Sequence, residues 1–253
     1  MNATVDALAT VGLCKNFGAL QVTNNIDFHL PHGCRHALIG PNGSGKTTLI
    51  NLLGGALTPS GGKIFLEGED ITSYSADRRV ARGLTRTFQI NTLFPRLTPI
   101  EAVTMVVCQR RGYGGSLTRS LKRSREAIDE AYEILTQLHL ADDCDRPTAQ
   151  LAYGRQRLLE IALALAARPK VLLLDEPAAG VPQQQSGEIL SVISALPSDI
   201  AVLFIEHDID LVFRFAERIT VLVAGKILCE GTPAEIAADP EVRRIYLGDE
   251  VHV

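Results

Sequence analysis

The chain has 253 residues, which suits one large α/β domain or a core that carries an inserted subdomain. Its net charge of −4 at pH 7 gives no support for a general nucleic-acid binder, because such proteins carry an excess of basic residues. The longest apolar run, Ile161 to Ala167, is far shorter than the roughly 20 residues of a membrane helix, and no secretory signal is evident at the N-terminus.

The N-terminal part of the chain contains short segments with the composition of β-strands, at Val5 to Leu13, Ile26 to Leu30 and Arg35 to Ile39. Phe17 lies between the first two of these segments. An exposed aromatic ring would stack on a purine base, although a single aromatic residue in such a stretch more often belongs to the core. Phe17 alone leaves both interpretations open.

Gly40 to Thr48 reads GPNGSGKTT and separates the apolar run Ala37 to Ile39 from the apolar segment Leu49 to Leu53. A strand that leads into a glycine-rich loop at the start of a helix is the arrangement of a P-loop, whose N–H groups converge on phosphate. The alternative, a glycine-rich turn that caps a helix and binds nothing, does not require all the fixed positions found here. The sequence therefore predicts a nucleoside triphosphate site formed by Gly40, Pro41, Asn42, Gly43, Ser44, Gly45, Lys46, Thr47 and Thr48. Within it, Lys46 would reach the β- and γ-phosphates and the Thr47 hydroxyl would ligate Mg²⁺.

Residues 98–140 differ in character from the α/β pattern around them. Ile100 to Gln109 and Ser124 to His139 have helical periodicity, and a glycine-rich basic loop that includes Arg110 and Arg111 lies between them. This pattern predicts a helical insert. The basic loop is most simply a solvated surface. The alternative is that the same charges contact anionic lipid headgroups or a protein partner.

Acidic residues and a histidine follow two apolar strands. Val171 to Leu174 is entirely apolar, as in a parallel strand buried on both faces, and it leads into Asp175 and Glu176. A second apolar run, Ala201 to Ile205, is followed closely by His207. Open α/β sheets bind ligands beyond the C-terminal ends of their strands, so these side chains are candidates for a ligand site. A solvated acidic turn and a structural histidine are the alternatives.

Two further positions indicate little by themselves. Gly154 precedes a helix with an apolar stripe, so it would suit a second anion-binding helix start, although helix capping explains it more simply. Gln89 follows a predicted strand, where a polar side chain is usually solvated. Their meaning depends on the motifs that surround them.

Together, these motifs resemble the ATP-binding subunits of ABC transporters over essentially the whole chain. GPNGSGKTT is similar to the Walker A motif, Val171 to Glu176 is similar to the Walker B motif, and Leu151 to Arg155 (LAYGR) stands where the family signature usually reads LSGGQ. The resemblance implies an α/β fold with a RecA-like P-loop core, an N-terminal antiparallel β subdomain and an inserted α-helical subdomain. It also implies a single domain over residues 1–253, with the core in 1–89 and 150–253 and the helical subdomain in about 90–149.

The resemblance assigns a role to each candidate residue. Glu176 would polarise the attacking water and His207 would steady the γ-phosphate during ATP hydrolysis. Thr47, Gln89 and, through water, Asp175 would hold Mg²⁺ against the phosphates, while Phe17 would stack on adenine. In the family, the signature loop of one subunit closes the P-loop site of the other. The ATP of the partner subunit would therefore be contacted by Leu151, Ala152, Tyr153, Gly154 and Arg155.

Within the family, the chain most resembles the ATP-binding subunits of branched-chain amino acid importers, through the stretches TRTFQ, LAYG, DEPAAG, IEHD and IYLG. The implied function is to energise import of branched-chain amino acids, or of a related small organic acid, amide or aromatic acid. The implied partners are transmembrane permease subunits, a second ATPase subunit of the same or a paralogous chain and, indirectly, a periplasmic solute-binding protein, with no nucleic acid. The implied location is peripheral, on the cytoplasmic face of the inner membrane, and five scattered cysteines fit such a reducing compartment.

The chain departs from this subgroup after Gly180. The subgroup commonly has Leu-Asn at the next two positions, whereas this chain has Val181 and Pro182. Proline lacks an N–H group, so the hydrogen bonds across the dimer that are usually ascribed to the asparagine are in doubt here. We expect coupling between the two ATP sites to be altered rather than lost.

Other functions remain as alternatives at this point. A soluble ABC ATPase that acts on ribosomes or nucleic acid usually has two cassettes or a basic arm, whereas this chain has one P-loop and an acidic balance. The ATPase of a lipopolysaccharide-type exporter shares the style of the C-terminal part, but TRTFQ and LAYG speak against it. An unrelated P-loop kinase or GTPase would leave LAYGRQR and His207 unexplained.

Overall fold

A computed structural model of the chain describes residues 5–87, 93–113 and 125–247. The described strands are β1 Leu8–Phe17, β2 Leu20–Leu30, β3 Arg35–Ile39, β4 Gly61–Leu66, β5 Glu69–Asp70, β6 Leu84–Arg86, β7 Val171–Asp175, β8 Ala201–Ile205, β9 Arg218–Val223 and β10 Lys226–Gly231. The described α-helices are α1 Lys46–Leu53, α2 Ala76–Ala81, α3 Pro99–Arg110, α4 Arg125–Gln137, α5 Tyr153–Ala166, α6 Gln183–Ser194, α7 Ile209–Phe215, α8 Pro233–Ala238 and α9 Pro240–Leu247. None of these helices is long and apolar enough to cross a bilayer.

A six-stranded sheet in the order β10-β9-β3-β8-β7-β6 forms the centre of the molecule. The strands from β9 to β6 run parallel, and β10 is antiparallel to β9. Successive side chains of β7 point to opposite faces: Leu172 and Leu174 join the core that the helices cover, while Val171 and Leu173 join the core that contains α1. Each such buried leucine or valine stabilises the fold by about 1.5–3 kcal/mol, which explains why this run is apolar on both faces.

The N-terminal strands form a separate four-stranded antiparallel sheet in the order β2-β1-β4-β5. β1 begins and ends later in the chain than predicted, and β2 begins earlier than predicted. The two strands meet in a tight turn, where Gly18 has a φ of +60°. Most side chains in the first part of β2 are exposed or only partly buried. Because that part buries little, no apolar alternation marked it as a strand.

The predicted helical insert is confirmed: α3 and α4 pack against each other and against α5. α3 begins with a capping box, in which Thr98 Oγ1 accepts a hydrogen bond from the Glu101 N–H and the Glu101 carboxylate accepts one from the Thr98 N–H. α4 ends at Gln137, short of the predicted end at His139, whose φ of +58° is incompatible with a helix. The predicted α/β class, with its antiparallel β unit and helical unit, is therefore present.

The expectation of a solvated basic surface is wrong for Arg110 and Arg111. Both guanidinium groups contact the largely buried carboxylate of Glu130 on α4, at 2.7 Å and 2.6 Å, and Arg168 reaches the same carboxylate at 2.8 Å. Burial alone would raise the pKa of Glu130, but the hydrogen bonds from Arg110 and Arg111 lower it to about 2. The middle of the basic loop, residues 114–124, lies outside the described residues.

Candidate functional site

The P-loop lies at the C-terminal end of β3, where the loop from Gly40 leads directly into α1. Gly45 precedes the helix with a φ of +104°, and a Cβ atom there would lie 2.8 Å from the Val22 carbonyl oxygen. A Cβ atom on Gly40 would lie 2.1 Å from the Leu222 carbonyl oxygen. Only glycine allows this close approach to β2 and β9. The first turn of α1 has no acidic residue, so its N–H groups keep their partial positive charge for an anion.

Lys46 and Ser44 place polar groups inside the curve of this loop. The Lys46 ammonium donates hydrogen bonds to the carbonyl oxygens of Gly40 (2.8 Å) and Pro41 (3.1 Å). Burial lowers the pKa of Lys46, whereas the nearby charges of Asp175 and Glu176 raise it. The Ser44 hydroxyl is buried, and no hydrogen-bond partner for it exists among the described residues. Such an orphan polar group fits a site that receives oxygen atoms from a ligand.

The predicted catalytic residues are in contact. His207 Nε2 lies 2.8 Å from Glu176 Oε1, and half of the histidine side chain is exposed. Glu176 follows β7 directly and has a φ of +50°, an unfavourable conformation for a residue with a side chain. The hydrogen bond from its N–H to the Ile205 carbonyl oxygen holds this conformation against the end of β8. The adjoining ends of two parallel strands thus bring the carboxylate and the imidazole together.

A cavity of about 220 Å³ joins the P-loop to these two side chains. Its volume suits phosphate groups better than a whole nucleotide, because sites that enclose a complete small ligand usually exceed about 300 Å³. A larger cavity, about 640 Å³, lies beside the start of β7 and contains none of the predicted site residues. The small cavity is therefore the chemically relevant one, and its lining is Val22, Asn42, Gly43, Ser44, Gly45, Lys46, Thr47, Thr48, Glu176 and His207.

Asp175 is completely buried next to this cavity and is held by an arginine. Its Oδ2 accepts a hydrogen bond from Arg86 Nη2 at 2.9 Å, and Arg86 Nη1 donates to Asn51 Oδ1 at 2.5 Å. Burial raises the pKa of Asp175, and the Arg86 charge works against that rise. The other oxygen, Oδ1, is buried with no hydrogen-bond partner in the described part of the chain. Asp175 thus has one oxygen held by protein and one left for another ligand.

The residues predicted to hold Mg²⁺ fit a cation that also binds phosphate oxygens. Thr47 is exposed and lines the cavity, and the orphan oxygen of Asp175 is a suitable acceptor for a cation-bound water. Gln89 lies outside the described residues. Within the described ranges, no three His, Cys, Asp or Glu side chains are grouped to hold a metal by themselves.

Phe17 ends β1, and 48% of its surface is exposed. The Lys15 ammonium lies 5.1 Å from the centre of its ring. Phe17 does not line the P-loop cavity, to which Val22 of β2 contributes instead. An exposed ring on the same antiparallel sheet keeps adenine stacking as a prediction.

The five signature residues lie at the start of α5, away from the P-loop cavity of the same chain. Leu151 and Gly154 are buried, whereas Ala152 precedes the helix without a capping side chain. Tyr153 lies against Gly180, where an added Cβ atom would be 3.2 Å from its ring. Arg155 donates a hydrogen bond of 2.6 Å to the His139 carbonyl oxygen at the end of the helical unit. Contact between these residues and the ATP of a partner subunit stays a prediction.

Sequence reasoning missed three side chains that support the site. Arg86 and Asn51 hold Asp175, and the only available signal was an arginine in a strand that pairs with buried β7. Glu206 is also buried, and its Oε1 accepts a hydrogen bond of 2.9 Å from the Ala178 N–H. This bond ties the segment that contains His207 to the segment that follows Glu176.

Comparisons with known proteins agree with this geometry. The family model described as "ABC transporter" matches residues 23–179, and the model described as "Branched-chain amino acid ATP-binding cassette transporter" matches residues 226–252. The chain is 37% identical to the high-affinity branched-chain amino acid transport ATP-binding protein BraF of Pseudomonas aeruginosa, over 96% of this chain and 98% of BraF. It is 38% identical to LivG of Escherichia coli K12, which has the same description, again over 96% and 98% of the two chains. The crystal structure of an ATP-binding cassette of an ABC transporter in its ADP conformation matches with a TM-score of 0.83 and 31% identity, over 97% of this chain and 100% of that chain.

Proposed function

Because the chain belongs to the ABC transporter ATP-binding proteins of the branched-chain amino acid (LivG/BraF) subgroup, we propose that it hydrolyses ATP to energise an importer of branched-chain amino acids. The observation that carries this proposal is the cavity where the P-loop, Glu176 and His207 converge. A related small organic acid, amide or aromatic acid is the alternative substrate in this proposal. The other subunits of the importer would select the substrate, and this chain would supply only the energy for its import.

The chain's own groups would supply the phosphate-binding and water-activating parts of the hydrolysis site. The P-loop N–H groups and Lys46 bind the phosphates and oppose the charge that develops as the γ-phosphoryl group leaves. The Glu176 carboxylate orients the attacking water and takes its proton. His207 Nε2 is within hydrogen-bond distance of Glu176 in this structure. When ATP is bound, it would donate a hydrogen bond to the γ-phosphate instead. Thr47, Gln89 and, through water, Asp175 would hold Mg²⁺, whose charge would offset that of the phosphate oxygens.

A second ATPase subunit completes the site in this proposal. The signature residues of each chain would cover the P-loop cavity of the other, which is supported by their absence from the cavity of their own chain. The free start of α5, which has no acidic residue in its first turn, suits contact with the γ-phosphate of that partner. An identical chain and a paralogous chain both meet this requirement.

Permease subunits in the membrane are the other direct partners. Two apolar side chains, Phe94 before α3 and Met105 within it, are 64% and 44% exposed and would pack against the membrane subunits. The chain would thus lie on the cytoplasmic face of the membrane without entering it. A periplasmic solute-binding protein would act on it only through the permease.

Co-purification from native cells tests this assignment. The tagged chain is extracted from membranes in mild detergent, and we expect two multispanning proteins, with or without a paralogous ATPase, to accompany it. Ligand binding by the solute-binding protein of the same system then identifies the substrate. A chain that remains outside the membrane fraction and brings down ribosomes or nucleic acid would rule out the transport function.

A further inference from the structure

The Arg86 guanidinium connects three elements of the nucleotide site. Arg86 ends β6, which pairs in parallel with β7, and it donates from Nη2 to Asp175 Oδ2 at 2.9 Å. From Nη1 it donates to Asn51 Oδ1 on α1, the helix that begins with Lys46. Gly54, just after α1, leaves room for this side chain, because a Cβ atom there would lie 3.2 Å from Arg86 Cδ. One side chain thus links the P-loop helix, β6 and the end of β7.

This geometry uses only one oxygen of the Asp175 carboxylate. An arginine facing a carboxylate commonly forms two parallel hydrogen bonds, one to each oxygen. Here Asn51 accepts from the other terminal nitrogen, so the Arg86 contact with Asp175 is made by Nη2 and Oδ2. Asp175 Oδ1 remains buried without a hydrogen-bond partner in the described part of the chain. A buried orphan oxygen is unfavourable unless a ligand or an ordered water completes it.

We propose that Arg86 is a positioning residue for the divalent cation of the ATPase reaction. It fixes Asp175 through Oδ2 and thereby directs Oδ1 to the water shell of the cation, while Asn51 prevents the arginine from covering both oxygens. This inference rests on the proposed function, because it concerns the cation that accompanies ATP. It also gives Arg86 a task beyond neutralising a buried acid, since neutralisation would not require Asn51.

Nucleotide affinities measured with and without the cation distinguish a positioning role of Arg86 from simple neutralisation of a buried acid. A fluorescent ATP analogue is titrated into wild type and Arg86→Gln, once with MgCl₂ and once with EDTA. We expect Arg86→Gln to weaken binding about tenfold with MgCl₂, as for other groups that orient metal ligands. Binding in EDTA should change less than twofold, because it depends on Lys46 and the P-loop N–H groups. Mn²⁺ binding to the nucleotide complex, followed by electron paramagnetic resonance, should weaken in parallel.

Asn51→Ala keeps both charges of the buried pair, so it decides the matter if Arg86→Gln fails to fold. Like Arg86→Gln, Asn51→Ala should weaken nucleotide binding more with MgCl₂ than with EDTA. The control is Arg78→Gln, which removes the same charge from an exposed arginine stacked on Tyr74 and should change neither affinity. Equal losses with MgCl₂ and EDTA, or no loss in either, would overturn the positioning role. If wild type binds no nucleotide in either MgCl₂ or EDTA, the proposed ATPase function fails instead.

Discussion

Lys46 and His207 already have hydrogen-bond partners that resemble those ATP would provide. The Lys46 ammonium is held by two carbonyl oxygens of its own loop, and His207 is held by the carboxylate of Glu176. In the proposed function, nucleotide binding would therefore exchange protein oxygens for phosphate oxygens around side chains that already have hydrogen-bond partners. Binding therefore costs less side-chain entropy than it would if the Lys46 and His207 side chains had no hydrogen-bond partners beforehand.

His36 gives the fold a defined weakness in acid. It is completely buried, its Nε2 lies 2.8 Å from Thr220 Oγ1, and its Nδ1 has no partner among the described residues. Burial lowers the pKa of His36 to about 4; Glu230 opposes this shift and Arg218 adds to it. The folded protein therefore resists a proton that the unfolded chain accepts near pH 6.5.

The free energy of unfolding is therefore unaffected by His36 above about pH 6.5, and it falls as the pH decreases towards 4. Urea unfolding at pH 7.5 and pH 5.0 should show that His36 accounts for a loss of about 2 kcal/mol. The variant His36→Gln cannot titrate, so its loss over the same interval should be smaller by that amount. Identical losses in the two proteins would show that His36 is protonated at no free-energy cost in the folded state.

The range of each contact decides which site residues the sequence could predict. The P-loop is one continuous stretch. Asp175 ends a strand, and Glu176 and His207 follow strands, that their apolar runs reveal. Arg86 acts on an aspartate 89 positions away, and Glu206 on a backbone N–H 28 positions earlier. Such pairs exist only once the strands are placed side by side, so composition and spacing do not reveal them.

At the scale of elements, the start of α6 shows how the chain accommodates Pro182. The proline stands immediately before the helix with φ −54° and ψ 140°, and its carbonyl oxygen accepts a hydrogen bond from the Ser186 N–H. A missing N–H is harmless there within the chain, because the first N–H groups of a helix have no partner in any case. The consequence that we expect for Pro182 therefore concerns contacts with a second subunit.

Replacing this proline tests that consequence. Pro182→Asn restores an N–H and adds a side chain able to form hydrogen bonds across the dimer, and asparagine is also a good helix cap. We expect the Hill coefficient of ATP hydrolysis to rise, while the free energy of unfolding changes by about 1 kcal/mol or less. Pro182→Ala is the matched control, since it restores the N–H without the polar side chain. An unchanged Hill coefficient in Pro182→Asn would contradict the expectation of altered coupling.

Burial also explains which elements were predictable. β3 and β8 have the predicted bounds, and every residue in each is buried. β2 is buried mainly in its second part, and only that part was predicted. A segment that is ordered by backbone pairing alone leaves no hydrophobic pattern to recognise.

At the scale of the whole molecule, closure of two subunits around ATP is open to direct observation. Glu176→Gln removes the proposed general base but keeps the shape of the side chain, so the variant should bind ATP and hydrolyse it at least about 100-fold more slowly than wild type. Size-exclusion chromatography in MgATP should then show a dimer, formed either by this chain alone or with a co-expressed paralogue. Lys46→Ala in the same background is the control. It should stay monomeric, because it lacks the ammonium group that would bind the phosphates of ATP. Turnover of Glu176→Gln at the parent rate would exclude Glu176 as the base.

The hydrogen bond between Glu176 and His207 has a consequence for the cell. In a solitary subunit one oxygen of Glu176, the proposed general base, is occupied by the histidine, and the site lacks the residues that a second subunit would contribute in the proposed function. We therefore expect copies made in excess of their membrane partners to leave the ATP pool intact. Unequal synthesis of the transporter's components would then cause no metabolic drain, and turnover would begin only after assembly.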